Sequence, residues 1–147
     1  MRRLLLAVAV SSALAVPVSA VVIGGGSAWA GSSVTCAKLT GSITGKVTIS
    51  SCKPTNSQYK TLSGTASKLA SGGTLTWAPS KKTTIVGGLT TTSPGQGKCP
   101  KGSTEEDSTG SVTGGTATYT HVGDTVSSKT CLKGKTLSLL KGTKMDL

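Results

Sequence analysis

The sequence predicts an all-β domain: an antiparallel β-sandwich, or a flattened barrel, of about 8–10 short strands stapled by two disulfides. Three observations carry that prediction. Apolar residues alternate with Thr and Ser in short runs, and no stretch places them at the i, i+3, i+4, i+7 spacing of an amphipathic helix. Thr, Ser and Gly make up about half of residues 31–147, which suits β-branched strands joined by glycine turns. Four cysteines with no C-x-x-C pair follow an N-terminal segment that reads as an export signal.

That segment has three parts. Arg2 and Arg3 form a basic start, an apolar run extends from Leu4 to about Ile23, and Ala28-Trp29-Ala30 supplies small residues for cleavage after Ala30. Residues 1–30 are therefore expected to be a signal peptide, and residues 31–147 a single secreted domain with no transmembrane segment after processing. Ser11, Ser12, Pro17 and Ser19 interrupt the apolar run, which argues against a retained anchor. Removing 30 of the 147 residues leaves 117, enough for one domain.

The strands follow in order. Val34–Thr40 and Ser42–Ser51 form a first pair around a turn at Ile43-Thr44-Gly45. Tyr59–Ala66, Gly73–Ala78 and Thr83–Thr92 come next, the last with a hairpin or bulge at Gly87-Gly88. Ser93–Ser108 carries Pro94 and Pro100 without apolar alternation and reads as a long loop anchored by Cys99. The segment SVTGGTATYTHVGDTVSS (residues 111–128) reads as a three-stranded meander with turns at Gly114-Gly115 and Gly123-Asp124. Its strands are Gly110–Gly114, Thr116–Val122 and Asp124–Leu132. Thr136–Leu140 and Thr143–Leu147 close the series. The expected core is aliphatic, because the chain has no Phe. It comprises Val34, Leu39, Ile43, Val47, Ile49, Leu62, Leu69, Leu75, Trp77, Ile85, Val86, Leu89, Val112, Tyr119, Val122, Val126, Leu132, Leu137 and Leu139.

So small an apolar set leaves cross-links to contribute. Zinc sites use closely spaced cysteine pairs, whereas the nearest two here are Cys36 and Cys52, so structural disulfides are expected. Three connectivities are open, and Cys36–Cys52 with Cys99–Cys131 is favoured. A turn at Ile43-Thr44-Gly45 sets Cys36 opposite Cys52, Leu39 opposite Ile49 and Gly41 opposite Val47. In that register the cysteines share a face with Lys38, Thr40, Lys46 and Thr48, which puts the bridge on the more polar side unless the register differs or a bulge near either end rotates it inward.

The chemical inventory is sparse. No catalytic, metal or cofactor site is expected. His121 with Asp124 gives an H-x-x-D spacing, read as a surface strand end beside a turn former. Glu105-Glu106-Asp107 reads as a solvated loop, and Thr-x-Thr alternation as β-propensity. Residues 31–147 hold fourteen lysines, no arginine and five acids, a net charge of +9. Without the arginine fork, specific nucleic-acid recognition is not expected. Trp77 with Lys81 and Lys82, in GGTLTWAPSKKTT, is the candidate binding region.

An ordered set of features runs through the chain: CAKLTG, GKVTISSC, GGTLTW, a central cysteine, GSVTGGTATYT and a late cysteine. This pattern resembles small exported four-cysteine actinobacterial proteins of unknown function. The resemblance implies a secreted β-sandwich and brings no catalytic residues with it. The expected function is a non-enzymatic binding module, secreted or associated with the cell envelope, whose lysines contact an anionic cell-wall polymer or an extracellular protein. The alternative is an inhibitor or small-ligand carrier using the Ser93–Ser108 loop or a pocket near Trp77.

Overall fold

A computed structural model describes residues 33–56, 58 and 60–147. The expected signal peptide, its cleavage site at Ala30, and Tyr59 lie outside the described residues. Ten strands follow in order: β1 (Val34–Ser42), β2 (Lys46–Pro54), β3 (Leu62–Ser67), β4 (Gly73–Ala78), β5 (Thr83–Val86), β6 (Thr90–Gly95), β7 (Thr104–Gly115), β8 (Thr125–Lys133), β9 (Thr136–Leu139) and β10 (Met145–Asp146). A one-turn 3-10 helix, Leu69–Ser71, joins β3 to β4.

The choice between sandwich and barrel resolves as a barrel. Antiparallel pairings run β1–β2–β3–β4–β5–β7–β8–β9 and return from β9 to β1, closing eight strands. Two strand positions are split. β9 and β10 lie in series between β1 and β8, with Thr40–Ser42 of β1 against β9 and Thr35 and Cys36 against β10. β5 and β6 likewise follow one another along β7. The register shifts by one between Ile85↔Gly114 and Val86↔Val112, Thr90↔Thr109 resumes the first register beyond the break, and the Gly87 N–H donates to Ser111 O at 2.9 Å. Gly87-Gly88 is thus an interruption in one long strand. β6 extends beyond the closed ring, every residue of it exposed, and Pro94 is tolerated there on an edge.

Inward rows are mainly apolar, apart from parts of β7 and β8, and outward rows carry hydroxyls and lysines. One outward row runs Ser138, Thr40, Thr48, Thr65, Thr76, Thr83 across six consecutive strands. The barrel bends this row around its wall, so the threonine alternation forms no flat array. An exterior of this kind is the reverse of the apolar band on lipid-facing barrels.

The first hairpin shows how the staple reaches the core. Cys36 pairs with Cys52, Leu39 with Ile49 and Gly41 with Val47, the register the turn predicts. Yet the buried positions run Val34, Cys36, then Leu39 on β1, and Val47, Ile49, then Cys52 on β2. Each strand skips one position, at Ala37 and Ser51. Ser51 has φ 53°, and the β2–β3 register shifts between Ile49 and Cys52. The irregularity rotates both cysteines from the lysine face into the lumen, where each is fully buried. Their Cα atoms lie 3.8 Å apart. Cys99–Cys131 forms the second bridge outside the barrel wall, in a small cluster with Leu140.

The two ends of the barrel differ. At one end lie the β4–β5 turn and residues 116–124. Trp77 and Tyr119 meet there edge to face, centroids 5.2 Å apart. The Trp77 indole N–H donates to Thr84 Oγ1 at 2.8 Å, which lies 2.7 Å from Thr120 Oγ1, so the buried polar atoms satisfy one another. Gly64 is a glycine because a Cβ there would lie 2.9 Å from Leu75 Cδ1 and 3.3 Å from Trp77 Cε3. The other end, with the β1–β2, β3–β4 and β8–β9 connections, is more open.

Three expectations need correction. Thr116–Val122 is not a strand, so there is no three-stranded meander, and β7 pairs directly with β8. Burying Tyr119 and Thr120 over the barrel end outweighs the β-propensity of the threonines. The Ser93–Ser108 loop shortens to residues 96–103, because β6 and β7 continue into it from either side. Those strand ends are held by backbone pairing on polar residues, which apolar alternation does not reveal. Ile85 and Val122 are exposed, at 42% and 68%, while Met145, Leu147 and Leu140 join the buried set. Thr84 takes the inward position beside Ile85, since the Trp77 N–H needs a partner there.

Candidate functional site

The open end of the barrel contains a cavity of about 270 Å³. It has two unlike walls. β1, β2 and β9 contribute Leu39, Val47 and Leu137, with Ile43 from the adjoining turn, Leu69 from the 3-10 helix and Leu89 from the β5–β6 break. β7 and β8 contribute Glu106, Ser108, Ser128, Thr130 and Leu132, and Thr91 of β6 stands at the rim. Strand pleating explains the polar wall: alternate residues of β7 and β8 face inward, and the register sets Glu106 against Thr130 and Ser108 against Ser128. Thr130 and Ser128 are buried, and the Thr130 hydroxyl donates to the Glu106 backbone carbonyl at 3.3 Å. The Glu106 carboxylate accepts from Ser93 Oγ at 2.8 Å. An apolar chamber with a few converging polar groups, in the mouth of a barrel, is the usual form of a small-molecule site.

The candidate residues from the sequence are scattered. Trp77 is 1% exposed and belongs to the packed end of the lumen, away from the cavity. Lys81 and Lys82 are exposed on the tight turn beyond it. There the Lys81 N–H donates to Trp77 O, and the Trp77 N–H donates to Lys82 O. Of the Ser93–Ser108 segment, Glu106 and Ser108 line the cavity, and Ser93 touches it only through Glu106.

His121 meets Asp124, and Ser33 meets the same ring. Ser33 Oγ lies 3.1 Å from His121 Nδ1, and Asp124 Oδ2 lies 3.7 Å from that nitrogen. A catalytic triad places nucleophile and carboxylate on opposite ring nitrogens, which this arrangement does not do. Asp124 is fully buried and accepts the His121 backbone N–H at 2.7 Å, so its visible role is to close the turn. Among the described residues, no group of three or more His, Cys, Asp or Glu side chains could hold a metal ion, and no helix is long and apolar enough to cross a membrane.

A groove of about 370 Å³ beside Cys131 is lined by Lys101, Lys133, Ser103, Thr136 and Ser138. Nearby, Lys129 meets Asp107 at 2.6 Å and Glu105 at 3.9 Å. Its hydrogen bond to the Asp107 carboxylate, and that group's charge, hold the Lys129 ammonium above the ordinary lysine range.

The polar wall had a sequence signal, though a faint one. In Val126, Ser128, Thr130 and Leu132 the inward phase of a single strand carries two hydroxyls where a filled core would carry aliphatics. No family model, curated protein or solved structure matches the chain.

Proposed function

We propose that this protein is an extracellular carrier that holds one small, mainly apolar ligand in the open half of its barrel. The observation that carries the proposal is the two-walled cavity between Leu39, Val47 and Leu137 on one side and Glu106, Ser108, Ser128 and Thr130 on the other. Its volume falls just below the ~300–1,000 Å³ typical of ligand pockets, so the ligand is small. The other half of the lumen is filled by Trp77, Tyr119 and their neighbours, and supplies a rigid floor. Two disulfides are compatible with an oxidising compartment, and the signal-like N-terminus supports export.

The test is titration of the oxidised protein with the neutral fluorophore N-phenyl-1-naphthylamine. Saturable enhancement, displaced by n-octanol and lost on filling the cavity with Ser108→Phe, is the expected result. Absence of saturable binding by a folded protein would end the proposal.

A second reading rests on a different observation, the groove between Lys101 and Lys133. Two ammonium groups beside three hydroxyls suit a phosphate-bearing cell-wall polymer. Retention on isolated cell walls should then fall with added salt and in Lys101→Ala/Lys133→Ala. Retention indifferent to both would exclude it.

A further inference from the structure

Glu106 is the one ionisable side chain among the residues lining the cavity. The chain is otherwise strongly basic, with a formal net charge of +11. None of its other four acids lines the cavity. Glu105 accepts the Lys98 backbone N–H at 2.7 Å and meets Lys129, and Asp107 pairs with Lys129. Asp124 accepts the His121 N–H, and Asp146 accepts the Thr35 hydroxyl at 3.0 Å. Glu106 faces the opposite way from Glu105 and Asp107 because β7 alternates. Among the described residues it has no ion pair, only the hydroxyl of Ser93. Its carboxylate therefore stands at the rim of an apolar chamber with the hydroxyls of Ser108, Ser128 and Thr130 on the same wall.

We infer that the cavity selects small amphiphiles bearing a protonated amine. The inference rests on the cavity being a ligand site. The aliphatic tail lies against Leu39, Val47, Leu69 and Leu137. The ammonium group donates to the Glu106 carboxylate, with the serine hydroxyls as further acceptors. Such a contact gains strength because the apolar walls lower the local dielectric. The lysines outside are screened over about 8 Å at physiological salt, so the short contact dominates over the long-range repulsion of a cation.

The predicted preference runs against the overall charge, which makes it decisive. A basic protein without a local carboxylate effect should favour an anionic amphiphile over its cationic twin. Titration calorimetry with n-octylamine, n-octanol and n-octanoate at pH 7 and physiological salt, all below micelle formation, separates the cases. Octylammonium should bind at least about tenfold more tightly than octanoate. Glu106→Gln, which keeps the shape and the Ser93 contact, should bring the two within about threefold. If octanol binds but octanoate equals or exceeds octylammonium, the amine preference is wrong and the carrier reading stands. An octylammonium-to-octanoate ratio left intact by Glu106→Gln would overturn the amine preference in the same way. If octanol and the neutral fluorophore both fail to bind, the carrier reading falls, and the amine preference falls with it.

Discussion

Cys36 and Cys52 sit opposite one another in the first hairpin, fully buried, whereas Cys99 and Cys131 join the turn after β6 to the outside of β8. Chain entropy alone ranks the second bridge higher, because it closes a separation of 32 residues against 16, or about 4 against about 3 kcal/mol. Burial reverses the order. Removing Cys36 and Cys52 also leaves a void in the buried cluster that holds Val34, Ile49 and Met145. Urea unfolding should therefore show Cys36→Ala/Cys52→Ala losing about 4–5 kcal/mol and Cys99→Ala/Cys131→Ala about 3–4 kcal/mol. A larger loss at the outer bridge would mean that loop length governs. The position of Trp77 has a similar logic: alternation with Leu75 points it inward, and its N–H then requires a polar partner in the core. Thr84 supplies that partner, which is why a threonine occupies a buried position that the sequence pattern assigns to Ile85.

At the level of elements, β-propensity and turn residues located most strands but misjudged three stretches. Residues 116–124 carry alternating threonines, yet they fold over the barrel end as a plug. Their shape depends on Asp124, whose carboxylate accepts the His121 N–H and is wholly buried. Asp124→Ala should cost about 1–3 kcal/mol, and amide exchange should accelerate across 116–124 ahead of the strands. Asp124→Asn, which keeps the acceptor, should restore protection. Uniform loss of protection across β7 and β8 in the alanine variant would show that the plug is not a separate unit. The other two stretches are the ends of β6 and β7, polar segments that pair because a neighbouring backbone lies within reach. Polar residues contribute no alternation signal, so a reading based on apolar period takes them for a loop. The Gly87-Gly88 break had the opposite fate: its glycines marked an irregularity correctly, and the shared β7 partner decided that the chain continues straight on.

For the whole molecule, closure is the central fact. Val34 and Leu147 exchange backbone hydrogen bonds of 2.8 Å, and β10 fills the gap that β9 leaves between β1 and β8. Met145 and Leu147 are fully buried. Deleting Met145–Leu147 should remove at least about 4 kcal/mol, a large share of a typical net stability, and calorimetry should show a broadened, lowered transition. An unchanged transition would show that the remaining ring closes by itself. The sequence by itself determined the all-β class, the first hairpin with its register, the favoured cysteine pairing and most of the core, since each depends on alternation, turn chemistry or short-range spacing. Only the tertiary structure decided that the sheet closes into a barrel, that Ala37 and Ser51 turn the staple inward, and that the lumen is packed at one end and open at the other. Those outcomes arise where strands distant in sequence meet. The inward faces of β7 and β8 become a polar wall only when β1, β2 and β9 stand across from them, and no local pattern records that meeting.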